Sequence, residues 1–90
     1  MSTHAMESVL YDLGVKREAR TAFGEDAAAF LKRYGVDAQE AAMISGFDMA
    51  ALLRAGVSPL LTYGFWMMNA PVKTRAAYLE RSRGTPPAQG

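Results

Sequence analysis

The sequence predicts an all-α fold, a compact orthogonal bundle of about five to seven short helices with no sheet. Apolar residues recur at three- and four-residue spacing along the chain, which is the period of a helix face and not the alternation of a strand. Glycines at positions 14, 24, 35, 46 and 56 cut the chain into pieces of helix length. Asp26, Asp37, Asp48 and Ser58 stand where a side-chain oxygen can accept from the free N–H groups of a following helix.

The first predicted helix, about Met6 to Leu13, places Val9, Leu10 and Leu13 on one side and stops at Gly14. Val15 to Phe23 forms the second, stopped by Gly24. Asp26 caps a third over Ala27 to Tyr34, which turns Phe30, Leu31 and Tyr34 inward and ends at Gly35. Asp37 and Glu40 form a capping box for a helix reaching Ser45, with Gly46 ending it. Asp48 caps Met49 to Ala55, closed by Gly56. Ser58-Pro59 starts a helix to Met68, because proline at the first position lacks an N–H that would be unpaired anyway and serine can accept a backbone hydrogen bond. Asn69-Ala-Pro71 breaks it. Val72 to Arg83 makes the last helix, with Val72, Ala76 and Leu79 on one stripe. A single domain over residues 1–84 follows, with 85–90 expected as a flexible tail. Gly-Val recurs at 14, 35 and 56 and Gly-x-Asp at 24 and 46, but the side chains between these echoes match poorly.

Ninety residues can bury only about 60–65% of the unfolded surface, so a partner's help with the core is expected. The absence of cysteine excludes a disulfide scaffold, a zinc ribbon, an iron–sulfur site and a thiol nucleophile. A net charge of +1 is too small to hold a polyanion, so nucleic acid is disfavoured. Residues 70–90 carry Lys73, Arg75, Arg81 and Arg83 against Glu80, a mildly basic end that reads as a solvated face. No secretory signal opens the chain, and the apolar run Val57 to Met68 is too short and too interrupted to cross a bilayer, so a cytoplasmic protein is expected.

Independent catalysis is not expected. The single histidine, His4, lies in an arm expected to be flexible, and one imidazole can build neither a facial triad for iron nor a serine–histidine relay. No phosphate-cradling glycine motif occurs. Glu25-Asp26 and Asp37 with Glu40 are candidate carboxylate pairs for acid–base work; both read as caps at helix starts. The catalytic, cofactor and metal residues predicted for this chain are therefore none.

The richest signal is Leu60-Leu-Thr-Tyr-Gly-Phe-Trp-Met-Met68. On a helix Leu61, Phe65 and Met68 share one face, Tyr63 and Met67 lie on another, and Trp66 widens the apolar surface until it runs nearly all round. A small domain cannot easily surround such a cylinder. Core packing explains part of it, and Leu61, Tyr63, Phe65, Trp66, Met67 and Met68 are the candidate partner interface, being residue types enriched at interfaces. Gly64, in mid-helix at a propensity cost of about 1 kcal/mol, permits close approach of another backbone.

Arg20-x-x-Phe23, Asp26, Phe30-Leu31, Tyr34-Gly35-Val36, Glu40, Asp48, Leu52 and Gly56, followed by this apolar helix, resemble the small (α) subunit of protocatechuate 4,5-dioxygenase, the LigA-type subunit of LigAB extradiol dioxygenases. The likeness spans about residues 17–69. It implies an assembly, α2β2 in that family, in which a large β subunit holds iron(II) with two histidines and a glutamate and opens a catechol-type ring. The small subunit in that family supplies no iron ligand and packs over the active-site mouth. Two stretches depart from the pattern: Ser45-Gly46-Phe47 stands where a basic residue usually precedes the aspartate, and beyond Asn69, where the family places an aromatic near the substrate, this chain has Lys73 and Tyr78. The alternative is a stand-alone helical module of the same fold that recognises another enzyme or a peptide.

Overall fold

The computed structural model describes residues 3–83. Among them are seven helices and no strand: α1 Thr3–Val15, α2 Arg17–Glu25, α3 Ala27–Lys32, α4 Ala38–Ser45, α5 Met49–Arg54, α6 Pro59–Asn69 and α7 Arg75–Ser82. The expected all-α bundle is the fold observed. The tail expected at 85–90 lies outside the described residues.

α1 and α6 make the most extensive helix pair. Met6, Val9, Leu10 and Leu13 of α1 and Phe65 and Trp66 of α6 are buried, with Phe30, Leu31, Ile44, Met49 and Leu52 closing the core from α3, α4 and α5. Polar ties set the register of the pair. Thr3 Oγ1 donates to the Ala55 carbonyl at 3.3 Å, the Ser58 N–H donates to Glu7 Oε2 at 3.0 Å, and Asn69 Nδ2 donates to the carbonyls of Leu13 at 3.1 Å and Phe65 at 3.0 Å. These ties advance in the same order along both helices, so α1 and α6 lie parallel.

Gly14 and Gly24 do not stop helices. α1 runs through Gly14 to Val15 and breaks at Lys16, whose backbone is extended, and α2 runs through Gly24 to Glu25. Gly14 instead faces α6: a Cβ there would stand 3.9 Å from the Gly64 carbonyl carbon, an ordinary contact, whereas a Cβ on Gly64 would meet nothing within 4 Å, so the close backbone approach expected at Gly64 is not seen within this chain. Among the glycines with described backbone, Gly35 (φ 76°) and Gly56 (φ 95°) have left-handed geometry. The Gly-Val echo at 14, 35 and 56 therefore joins positions doing different work.

Asp26, Asp37 and Asp48 cap α3, α4 and α5 as expected, and the Asp37–Glu40 box is complete, with bonds of 2.8 and 2.9 Å. Three end assignments change. α3 closes at Lys32, leaving Tyr34 in the turn beyond it. The Ser58 side chain makes no cap; its backbone N–H donates to Glu7 Oε2 instead of leaving this helix start without a side-chain tie. α7 begins at Arg75, not Val72: Pro71 holds Ala70 extended, and Thr74 supplies the first cap oxygen, accepting from the Ala77 N–H at 3.1 Å. The later start turns Tyr78 inward and leaves Val72, Ala76 and Leu79 exposed, so the expected Val72–Ala76–Leu79 stripe is not the packing face.

Asn69→Ala removes the donor shared by two half-buried carbonyls and is expected to lower stability by about 1–2 kcal/mol, read as a reduced urea midpoint with an unchanged slope.

Candidate functional site

α6 divides the predicted interface residues between interior and surface. Phe65 is fully buried and Trp66 is 3% exposed, so neither is available to a partner in this conformation. Leu61, Tyr63 and Met67 are half-buried, and Met68 is exposed. Leu60, which the helical pattern did not single out, is the most exposed large apolar side chain among the described residues, at 80%. Leu60, Gly64 and Met68 share one i, i+4, i+8 row. Alongside, Gly14 meets Gly64, and Tyr11 and Val15 of α1 are exposed. The α1–α6 pair thus exposes apolar side chains from both helices, and a Cβ added at Gly64 would meet nothing within 4 Å.

On the opposite flank of α6 the aromatic residues converge. Phe47 stacks on Phe65 with ring centroids 5.0 Å apart, and Phe23 and Trp66 set their rings nearly perpendicular to Phe47 at 6.4 and 6.1 Å. Tyr78 reaches in from α7, its hydroxyl 2.9 Å from Thr62 Oγ1. Thr62 already donates to the Pro59 carbonyl, so Tyr78 donates to Thr62.

Phe47 carries an unusual backbone. The Asp48 N–H bonds to the Met43 carbonyl and the Phe47 N–H to the Ile44 carbonyl, the hydrogen bonds of a Schellman ending for α4. The left-handed residue that this ending requires is Phe47 (φ 53°), not the preceding Gly46 (φ −86°). An aromatic residue in that region is strained, and the surrounding structure holds it there: Arg81 Nε donates to the Phe47 carbonyl at 2.9 Å and Arg81 Nη2 to the Gly46 carbonyl at 3.1 Å. A Cβ at Gly46 would come 3.1 Å from the Ala42 carbonyl oxygen, a tight contact that the neighbouring backbone would have to relieve by a few tenths of an ångström. Beside this clamp opens a cavity of about 410 Å³ walled by Phe47, Trp66, Pro71, Val72 and Ala77, with Glu80 and Arg81 at its polar edge. Sequence reasoning assigned Phe47 and Arg81 no part in a site; the local signal was an aromatic between a helix-ending glycine and a cap aspartate.

The remaining candidates resolve as structural groups. His4 belongs to α1, not to a separate arm, and is exposed. Glu25 is the last residue of α2 and so stands at a helix end, whereas Asp26 caps α3 as expected. Tyr34 donates to Asp12 Oδ2 at 2.6 Å, and Asp12 also pairs with Lys16 at 3.4 Å. Burial, then the hydrogen bond to Asp12 and that carboxylate's charge, push the Tyr34 hydroxyl up to about 12. Among the described residues no three His, Asp or Glu side chains cluster as metal ligands, and no helix is long and apolar enough to cross a membrane.

Fold and site together define an all-helical domain with exposed apolar side chains and an aromatic-walled cavity. The family model for the LigA subunit of the aromatic-ring-opening dioxygenase LigAB matches residues 6–78, and the chain belongs to that family. Comparison with curated proteins and with solved structures gives no match.

Two outcomes check this description. Trp66→Ala empties the centre of the aromatic cluster and is expected to cost about 3–5 kcal/mol, enough in a domain of this size to abolish a cooperative thermal transition. The raised Tyr34 value means that its contribution to stability is complete below about pH 10 and is lost as pH rises towards about 12. In a phenolate absorbance titration of the four tyrosines, the component assigned to Tyr34 should titrate near 12, and Asp12→Asn should lower it.

Proposed function

We propose that this chain is the non-catalytic small subunit of an iron(II)-dependent extradiol dioxygenase acting on catechol-type aromatics, and that it packs over the active-site mouth of the large subunit in the cytoplasm. Family membership carries the dioxygenase part of the reading. The docking part is supported by the large apolar side chains exposed on the α1–α6 pair, Leu60 and Met68 of α6 and Tyr11 and Val15 of α1. The face keeps Leu61, Tyr63, Met67 and Met68 from the predicted interface, adds Leu60, and drops Phe65 and Trp66.

The donor set does not fit an iron site in this chain. An extradiol iron takes two imidazoles and a carboxylate, and the one histidine stands on an exposed helix turn with no cluster of ligands among the described residues. Iron and substrate activation are accordingly assigned to the large subunit, and no step of the reaction is routed through residues described here. What this chain supplies is burial. An apolar face laid across a cavity mouth excludes water and restrains the loops beneath it, which strengthens the electrostatic interactions inside.

Leu60→Glu and Met68→Glu leave the core untouched and should each weaken association with the large subunit by about 2 kcal/mol in titration calorimetry, with ring-opening activity falling in proportion to subunit lost. Tight association of both variants would remove this face from the interface. Failure of the wild-type chain to bind any extradiol large subunit would favour the alternative reading, a stand-alone module for another enzyme or a peptide.

A further inference from the structure

α4 ends in the less favourable of two available ways. A helix closes most readily when the left-handed residue beyond it is glycine, which meets no steric penalty there. Gly46 stands one position ahead of Phe47 and can take that role, its N–H then bonding to the Met43 carbonyl and the Phe47 N–H to the Ala42 carbonyl. The structure instead carries the helix one residue further. Gly46 sits at φ −86° with its N–H on the Ala42 carbonyl at 2.9 Å, and Phe47 takes the left-handed place at φ 53°.

Local sequence thus favours one register and the fold imposes the other. The imposing contacts are few. The Phe47 ring stacks on Phe65 with centroids 5.0 Å apart and 13° between planes. From α7, 34 residues further along, Arg81 donates Nε to the Phe47 carbonyl and Nη2 to the Gly46 carbonyl, so one guanidinium fixes the two carbonyls that must turn for the registers to exchange. Arg81 makes no ion pair among the described residues, and its hold on the turn consists of these two bonds. Beside the ring lies the cavity of about 410 Å³ that Phe47 helps to wall, which gives the ring room to leave the stack.

We propose that the Gly46–Phe47 turn is a latch with two registers, held in the observed one by Arg81. When α7 withdraws the guanidinium, the left-handed place passes to Gly46, α4 shortens by one residue, and the Phe47 ring leaves Phe65 and reshapes the cavity. The device couples the position of α7 to the aromatic cluster on the inner flank of α6. It needs no large subunit and stands apart from the docking reading.

Two measurements on the full chain test it. A positive φ brings a residue's amide proton close to its own Hα and gives a strong intraresidue nuclear Overhauser effect, which is expected for Phe47 in the wild-type chain. In Arg81→Met, which keeps the aliphatic stem, that effect should fall to the level of an extended residue. The Phe47 ring resonances should also lose the shielding of the Phe65 stack, with helical circular dichroism retained. Persistence of the strong effect in the folded variant would overturn the proposal. The second measurement uses the wild-type chain alone. The Asp48 N–H is bonded to the Met43 carbonyl in the observed register and freed in the other, so it should exchange with solvent about tenfold faster than the Phe65 amide in the middle of α6, at a rate insensitive to low urea, as a local opening requires. Exchange of Asp48 only through global unfolding would overturn the latch too, and this arm remains decisive if Arg81→Met does not fold.

Discussion

Parallel packing of α1 against α6 is the constraint on which the remaining architecture rests. At their meeting point a Cβ on Gly14 would stand 3.9 Å from the Gly64 carbonyl carbon, an ordinary contact distance, so the two glycines mark where the helices touch. The register is then held by polar ties at both ends: Thr3 and Glu7 grip the loop before α6, and Asn69 returns from its last turn to the Leu13 carbonyl. That carbonyl also accepts from Arg20 at 3.4 Å, which brings α2 to the same point. A helix end inside a small domain leaves carbonyls that need donors, and here α2 and α6 supply them. Each of the other helices is placed by reference to this pair, directly or through one intermediate.

The pairing gives α6 two unlike flanks. Towards α7 it presents Thr62, Phe65 and Trp66 to an aromatic cluster that includes Phe47 and Tyr78, and the apolar cylinder that looked too large for a small domain is in part consumed there. Towards solvent it presents Leu60 and Met68. The proposed docking on a large subunit would use this second flank, whose exposed side chains are of types found at interfaces.

Strain and satisfaction are unevenly distributed. The caps on α3, α4, α5 and α7 are made by side chains three residues from their partners, and Tyr34 and Tyr78 hydroxyls both have acceptors or partners. Against that background the left-handed Phe47 packs its ring against Trp66, whose buried N–H has no acceptor among the described residues.

The amino-acid sequence by itself determined the all-helical fold, most helix starts and the family. Periodicity and aspartate caps act within four residues, and such local rules need no knowledge of the rest of the chain. Asp37 with Glu40 is the plainest example, since both bonds of the box close within one turn. Only the tertiary structure decided the rest. Whether Gly14 stops a helix or admits a neighbour depends on α6, fifty residues away in sequence. Ser58 was read as a cap, but its N–H belongs to Glu7. Phe65 and Trp66 could not be told from Leu60 and Met68 by residue type, because an apolar helix shows its buried side only once the elements around it are in place. The cavity is the extreme case: Phe47, Trp66 and Arg81 come from three separate segments, and long-range packing alone brings them together.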